Sequence, residues 1–98
     1  MDKLKEMQNL LLKIPKGKVV SYKEIARKLG VHPRVAGRLV GSNPDGDKYP
    51  CYKVVRSDGR IGGYSNPKGI MEKIRRLEKD GIEVKNNRIS MKYFYFFS

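Results

Sequence analysis

Cys51 is the sole cysteine of a 98-residue chain and stands in YPCYKVVRSDGRIGGYS, residues 49–65. A lone thiol has three uses: inert filler of an apolar core, redox handle, or nucleophile. One cysteine closes no intramolecular disulfide, and with His32 the only histidine there is no Cys/His set for a structural zinc. A nucleophilic thiol must be ionised, and an unassisted cysteine near pKa ~8.5 is mostly protonated at neutral pH. Lys53 and the wider positive field are the local means of favouring the thiolate. Gly62, Gly63, Tyr64 and Ser65 read as a loop where glycines admit close backbone approach and two hydroxyls can donate hydrogen bonds.

The balance of 22 Lys+Arg against 10 Asp+Glu gives a net charge of +12. Such an excess suits a nucleic-acid binder, because neutralising phosphates releases condensed counterions. A Lys-rich solvated surface of a heat-adapted protein has the same composition, so charge alone does not choose. The length fits one domain, residues 1–98. MDKLKEMQNLLLKIPKGK mixes charges of both signs among its apolar residues, unlike a signal peptide or a membrane span. The expectation is an intracellular protein, cytoplasmic or, in a eukaryote, nuclear, with no metal and no membrane association.

The elements that must position these residues follow from spacing. Leu4, Met7, Leu10, Leu11 and Ile14 predict an amphipathic helix over 2–13, ended by Pro15. Ser21 and Glu24 form a capping-box pair for a second helix, 22–29, with Gly30 as its stop. Pro33 suits the first turn of a third helix that buries Val35, Leu39 and Val40 and presents Arg34, Gly37 and Arg38. The second and third helices make a helix-turn-helix candidate. SNPDGDK, 42–48, reads as loop, and Tyr52–Arg56, Ser57-Asp58-Gly59 and Arg60-Ile61 read as a small hairpin. A fourth helix, 68–80, is predicted to bury Ile70, Ile74 and Leu77 and to close at Gly81. Two short β-prone runs flank Asn86-Asn87, and an aromatic cluster ends the chain. The fold class is α+β: a mostly helical single domain with a winged-helix-like helix-turn-helix and a small β-hairpin.

IPKGKVVSYKEIA at 14–26, VAGRLVG at 35–41, Asn43-Pro44, PCYKVV at 50–55, GGYS at 62–65 and Glu78, 27 residues after Cys51, occur in one order. Together they resemble the C-terminal, DNA-binding and active-site domain of the O6-alkylguanine-DNA alkyltransferases. The resemblance implies a stoichiometric, single-turnover enzyme that needs no cofactor. It would act as a monomer on double-stranded DNA containing O6-alkylguanine and move the alkyl group to its own cysteine. Cys51 is then the nucleophile, with Tyr52 and Glu78 as a proton relay. Arg38 fills the stack left by a flipped base and Tyr22 crowds its phosphate. Arg34, Ala36, Gly37, Arg38 and Gly41 meet DNA on a helix in the minor groove, where small residues allow approach. Pro50, Lys53, Gly62, Gly63, Tyr64 and Ser65 line the pocket, and Asn43 braces the turn before the cysteine. Read as bare residues, Arg38 is a solvated helix arginine, Tyr22 a core aromatic, and the small residues packing contacts.

The chain departs from the family pattern in several places. It contains no counterpart of the family's amino-terminal domain, and in size it is closer to the short alkyltransferase-like proteins, which bind lesions without repairing them and usually replace the cysteine with tryptophan or alanine. Tyr52-Lys53 replaces His-Arg, and the stretch from Arg38 to Asn43 is about one helical turn short. A non-enzymatic lesion-binding module that recruits other repair factors is therefore the second reading, and a helix-turn-helix regulator the third. Cys51 opposes the second; GGYS with Glu78 opposes the third.

Overall fold

A computed structural model describes residues 2–61 and 69–97. Helix α1 (Lys3–Leu12) starts where the Asp2 carboxylate accepts the Leu4 N–H at 3.0 Å, and it buries Met7, Leu10 and Leu11. Helix α2 (Tyr22–Leu29) is capped by Ser21, whose Oγ accepts the Glu24 N–H at 2.9 Å. It stops at Gly30, which takes φ +68°, a left-handed conformation a side chain would strain. Helix α3 (Pro33–Gly41) begins on Pro33, with His32 Nδ1 accepting the Arg34 N–H at 3.1 Å. The three helices pack on one another, α2 and α3 forming the helix-turn-helix across a short turn.

The buried stripe of α3 differs from the expected one. Ala36 and Val40 are buried, Leu39 is half-buried and Val35 is exposed. Positions four apart share a helix face, and a small Ala36 lets α3 approach its neighbours closely; the bulkier Val35 falls on the outer side.

Strand β1 (Val20–Ser21) pairs in parallel with β2 (Val54–Val55), Val20 opposite Val54 and Ser21 opposite Val55. The other edge of the same segment takes the C-terminal tail: Val19 N–H donates to Tyr93 O at 2.8 Å, and Tyr95 N–H donates to Val19 O at 2.7 Å. Val19, Val20, Val54 and Val55 are all fully buried, as expected of parallel strands covered on both faces. The expected hairpin over 52–61 is corrected accordingly. Its turn does form, with Arg56 N–H donating to Arg60 O at 2.9 Å, but β2 pairs with β1 and the outgoing arm pairs with the tail, Arg60 opposite Arg88.

Helix α4 (Gly69–Lys79) also departs from expectation, burying Gly69, Lys73 and Leu77 while Ile70 is exposed and Ile74 half-buried. Strands β3 (Val84–Lys85) and β4 (Arg88–Ile89) are the two β-prone runs expected around Asn86-Asn87, and they pair antiparallel; the asparagine φ values of 51° and 58° are both positive, as a two-residue hairpin turn requires. The aromatic tail packs inward through Phe94 and Phe97.

Only the Ser21 half of the capping box forms. The buried Glu24 carboxylate accepts from Arg27 Nε and Nη2 at 2.9 and 2.7 Å and from the Phe97 N–H at 2.7 Å, which ties α2 to the end of the chain. The Arg27 hydrogen bonds are the main cause holding this carboxyl below its usual range. Glu24→Ala leaves the Phe97 N–H without its acceptor and should cost about 1–3 kcal/mol in urea unfolding at neutral pH. Because the folded value is depressed, this contribution is present above the unfolded pKa and is lost as pH falls through the folded one, so the gap between parent and variant should close in acid. A gap independent of pH would detach the effect from the charge.

Candidate active site and nucleic-acid interface

Cys51 opens a 3₁₀ turn, Cys51–Lys53, that runs directly into β2. Its N–H donates to Tyr49 O at 2.7 Å, and the same carbonyl accepts Asn43 Nδ2 at 2.9 Å. Asn43 Oδ1 in turn accepts Gln8 Nε2 of α1 at 3.3 Å. One amide thus connects α1, the 43–49 loop and the backbone contact of the cysteine. Cys51 is buried in the apolar cluster that contains Ala36 and Val40 of α3, while Pro50 before it is half-buried.

Three residues per turn send Cys51, Tyr52 and Lys53 in three directions. Near Cys51 lies Lys73 of α4, fully buried, its Nζ donating to Val54 O at 2.8 Å and standing 5.8 Å from the Tyr22 ring centroid. Lys73 and Tyr22 both interact electrostatically with Cys51. Burial brings the Lys73 ammonium down to about 8, against the opposing influence of Cys51. Burial also pushes the Tyr22 phenol up, with Cys51 adding and Arg56 opposing.

Lys53 points elsewhere. Its buried Nζ donates to Pro15 O at 2.8 Å and pairs with Asp80 Oδ2 at 2.9 Å, so its charge is matched there and not directed at the sulfur or at a substrate pocket. Tyr52 faces a cavity of about 420 Å³ lined with Asp47, Arg75, Arg76, Lys79 and Asp80. Its phenol is raised by burial first and Asp80 second. Glu78, expected to end the relay, is exposed on α4. The carboxylate that acts on Tyr52 is Asp80, which also accepts the Gly17 N–H at 2.8 Å. At one helical step of ~100°, Glu78 lies round the helix from the buried Leu77, whereas Asp80, just past the last helical residue, turns back under the Cys51–Lys53 turn.

On α3, Arg34 and Arg38 are exposed. Arg34 and Gly37 line an open groove of about 470 Å³ with Tyr22, Lys23, Pro33, Arg56 and Ser57. No heavy atom lies within 4 Å of where a Cβ would stand at Gly37 or Gly41, so core packing does not demand either glycine. Ala36, expected among the residues that meet DNA, is fully buried in the core cluster. Gly62, Gly63, Tyr64 and Ser65 lie outside the described residues. Among the described residues no three His, Cys, Asp or Glu side chains gather as a metal site would require, and no helix is long and apolar enough to cross a membrane.

Sequence reading missed Lys73, Asp80 and Arg56. Lys73 carried a signal, since it stands four residues before Leu77 in the stripe that α4 buries. Asp80 and Arg56 carried none, because their neighbours come from distant segments.

Residues 3–82 match the family described as 6-O-methylguanine DNA methyltransferase, DNA binding domain. A bifunctional methyltransferase/endonuclease of Picrophilus torridus is 47% identical over 92 residues, covering 92% of this chain and 30% of that protein. The chain thus spans less than a third of that relative's length. The fold matches S. pombe Atl1 in complex with damaged DNA containing O6-carboxymethylguanine, with TM-score 0.84, 25% identity and coverage of 95% of this chain and 94% of that one. It also matches the O6-methylguanine-DNA methyltransferase of Pyrococcus kodakaraensis, with TM-score 0.75, 35% identity and coverage of 84% and 47%.

Burying the Lys73 charge is costly, and its value of about 8 against the ordinary 10.5 puts the cost on the order of 3 kcal/mol. Lys73→Met should therefore be at least as stable as the parent at pH 7, even after losing the hydrogen bond to Val54 O, worth about 1 kcal/mol. Between pH 8 and 10.5 the unfolded parent holds the extra proton, so parent stability rises with pH and the advantage of the variant should disappear. Denaturant unfolding across that range checks this; a variant less stable than the parent at pH 7 would show that the lysine is chiefly a structural donor.

Proposed function

The chain belongs to the 6-O-methylguanine DNA methyltransferase family through its DNA-binding domain, and from that premise we propose that it repairs O6-alkylguanine in duplex DNA by taking the alkyl group onto Cys51. The observation that carries this reading is the burial of the sole cysteine one 3₁₀ turn before Val54, whose carbonyl holds the buried Lys73 ammonium 5.8 Å from the Tyr22 ring centroid, both groups within electrostatic reach of Cys51. A nearby cation favours the thiolate, the form of cysteine that attacks carbon. Sγ forms a bond to the alkyl carbon as the carbon–O6 bond breaks. The bonding electron pair leaves on guanine, which takes up a proton, while the proton lost from the thiol goes to solvent. The product is a thioether, so one chain performs one transfer.

The roles of the other residues follow from their contacts. Lys73 supplies positive charge near the sulfur at pH below about 8. Asp80 takes the place first given to Glu78, but its carboxylate is already engaged by the Lys53 ammonium and the Gly17 N–H. Tyr52 remains a neutral phenol, and activation of the thiol rests on Lys73 more than on the Tyr52–Asp80 pair. Asn43 positions the cysteine through Tyr49 O. Arg34, Gly37, Arg38 and Gly41 present α3 to the minor groove, and Tyr22 crowds the flipped nucleotide. The whole of residues 1–98 would act as one intracellular, monomeric alkyltransferase-type unit.

The match over 94% of the S. pombe Atl1 chain favours a second reading, a module that binds the lesion without transferring its alkyl group. Intact mass after incubation with a duplex containing O6-methylguanine separates the two. One CH2 added on Cys51, absent in Cys51→Ser while duplex binding is retained, is the expected result; tight lesion binding with no added mass would establish the second reading. Arg38→Ala should slow transfer from duplex at least tenfold and leave transfer from the free base little changed, since only the duplex needs flipping. Equal slowing of both would remove Arg38 from that role.

A further inference from the structure

We propose that Arg56, Arg60 and Arg88 form a second phosphate-binding surface, outside the helix-turn-helix, that grips the DNA backbone beside the lesion. This inference rests on the reading of the chain as a duplex-binding repair protein. Arg60 and Arg88 face each other across an antiparallel bridge, and Arg88 in turn faces Lys85 across the β3–β4 pair. Directly opposed residues of an antiparallel pair project from the same face, so three cations form one cross-strand row. Like charges in direct opposition destabilise a sheet, and an anion lying along the row relieves the repulsion.

Arg56 joins the row through the hydrogen bond from its N–H to Arg60 O. A cavity of about 470 Å³ is bounded by Arg56, Arg60, Arg88, Asn86, Asn87 and Ile61, together with Ile70. The two asparagine amides at the hairpin tip add donors of the kind that contact phosphate oxygens. Asp58 lies among the arginines: its carboxyl is held low first by the Arg60 N–H, and Arg60, Arg56 and Arg88 all add to this. Asp58 Oδ2 stands 3.6 Å from Arg60 Nε and Glu83 Oε1 3.7 Å from Lys85 Nζ, so two carboxylates against Arg56, Arg60, Lys85 and Arg88 leave the cluster net positive.

The scaffold beneath the row is specified closely. Ile89 N–H donates to Gly59 O at 2.8 Å and Ile61 N–H to Asn87 O at 3.2 Å. Gly59 has φ +92°, and a Cβ there would stand 2.7 Å from Ile89 O, so the turn that carries Arg56 and Arg60 approaches β4 as closely as glycine allows. Arg56 also lines the groove of Tyr22, Arg34 and Gly37. The two basic grooves therefore meet at Arg56, and a backbone leaving the α3 groove continues onto the Arg60–Arg88 row. A phosphodiester backbone fits this continuity better than an isolated anion, since its charges repeat along a line.

The test is binding of the full chain to an O6-methylguanine duplex across a salt series, comparing the parent, Arg60→Gln/Arg88→Gln and Lys5→Gln/Lys16→Gln. The last pair removes the same charge from residues that line neither groove. For the arginine pair we expect at least tenfold weaker binding at low salt. The magnitude of the log–log salt slope should fall by roughly 1.8, two contacts at about 0.9 each. An unchanged unfolding midpoint shows that the fold is kept. A slope and affinity equal to the parent's, or a loss no greater than that of the lysine pair, overturns the inference while the repair reading stands. A parent that fails to bind duplex at all overturns both, whereas a parent that binds without alkyl transfer and shows the arginine effect sustains this surface and removes only the transfer chemistry.

Discussion

Val20 opposite Val54 and Ser21 opposite Val55 are the only residue pairs joining β1 to β2, and the placement of the site depends on them. Tyr22 follows Ser21 without a gap, and Cys51 precedes Val54 by one 3₁₀ turn. Fixing the register of two parallel strands thus fixes the distance between phenol and thiol. A slip by one residue would turn every strand side chain to the opposite face. Burial on both faces opposes such a slip, since Val20 and Val54 belong to one apolar cluster and Val19 and Val55 to the other. Lys73 adds a third constraint: its Nζ bonds Val54 O, so α4 is tied to the strand that carries the cysteine.

On the proposed reading, that tie makes Lys73 a compromise between folding and chemistry. A fully buried ammonium is costly, and an apolar residue would fill the same space without charge. Local sequences usually agree with the fold that contains them, and violations concentrate where function requires them. A lysine in the buried stripe of a helix, beside the chain's sole cysteine and a half-buried tyrosine, fits that pattern. Lys53 is the contrast: also buried, but paired with Asp80, it stabilises the turn without leaving charge for the sulfur.

Helix periodicity and capping were legible in the sequence because both are local. Ser21 and Gly30 bounded α2 where expected, Pro33 opened α3, and the β-prone runs flanking Asn86-Asn87 became β3 and β4. The failures share one cause, dependence on partners far along the chain. Val54-Val55 looked like one arm of a hairpin because nothing near them showed that Val20-Ser21 would be the partner. Glu24 looked like half of a capping box, but Phe97, 73 residues away, takes its carboxylate. In α4 apolarity pointed to Ile70 and Ile74, yet the helix turned Lys73 inward, since a lysine with a carbonyl acceptor can occupy a buried position that its composition class excludes. Cys51 was legible as a candidate nucleophile; that the buried Lys73, and not Lys53, lies near it was not.

The disposition of acidic residues adds a last step. From Ile25 to Pro44, a stretch that includes most of α2 and all of α3, there is no Asp or Glu. Several carboxylates elsewhere are engaged in ion pairs: Glu24 with Arg27, Asp80 with Lys53, Glu72 with Arg75 and Arg76, and Asp47 with Arg76. Arg76 reaches from α4 to the loop that leads to Cys51, bonding both Asp47 and Gly46 O. These pairs match cations of α2, α4 and the turn that carries Cys51, while the exposed Lys23, Arg34, Arg38 and Arg56 take part in none of them. Exposed surface charge attracts a polyanion over roughly a Debye length, about 8 Å at physiological salt. On the proposed reading, segregation of this kind would make the attraction orient the domain as well as bind it, turning α3 toward a duplex before any base is read.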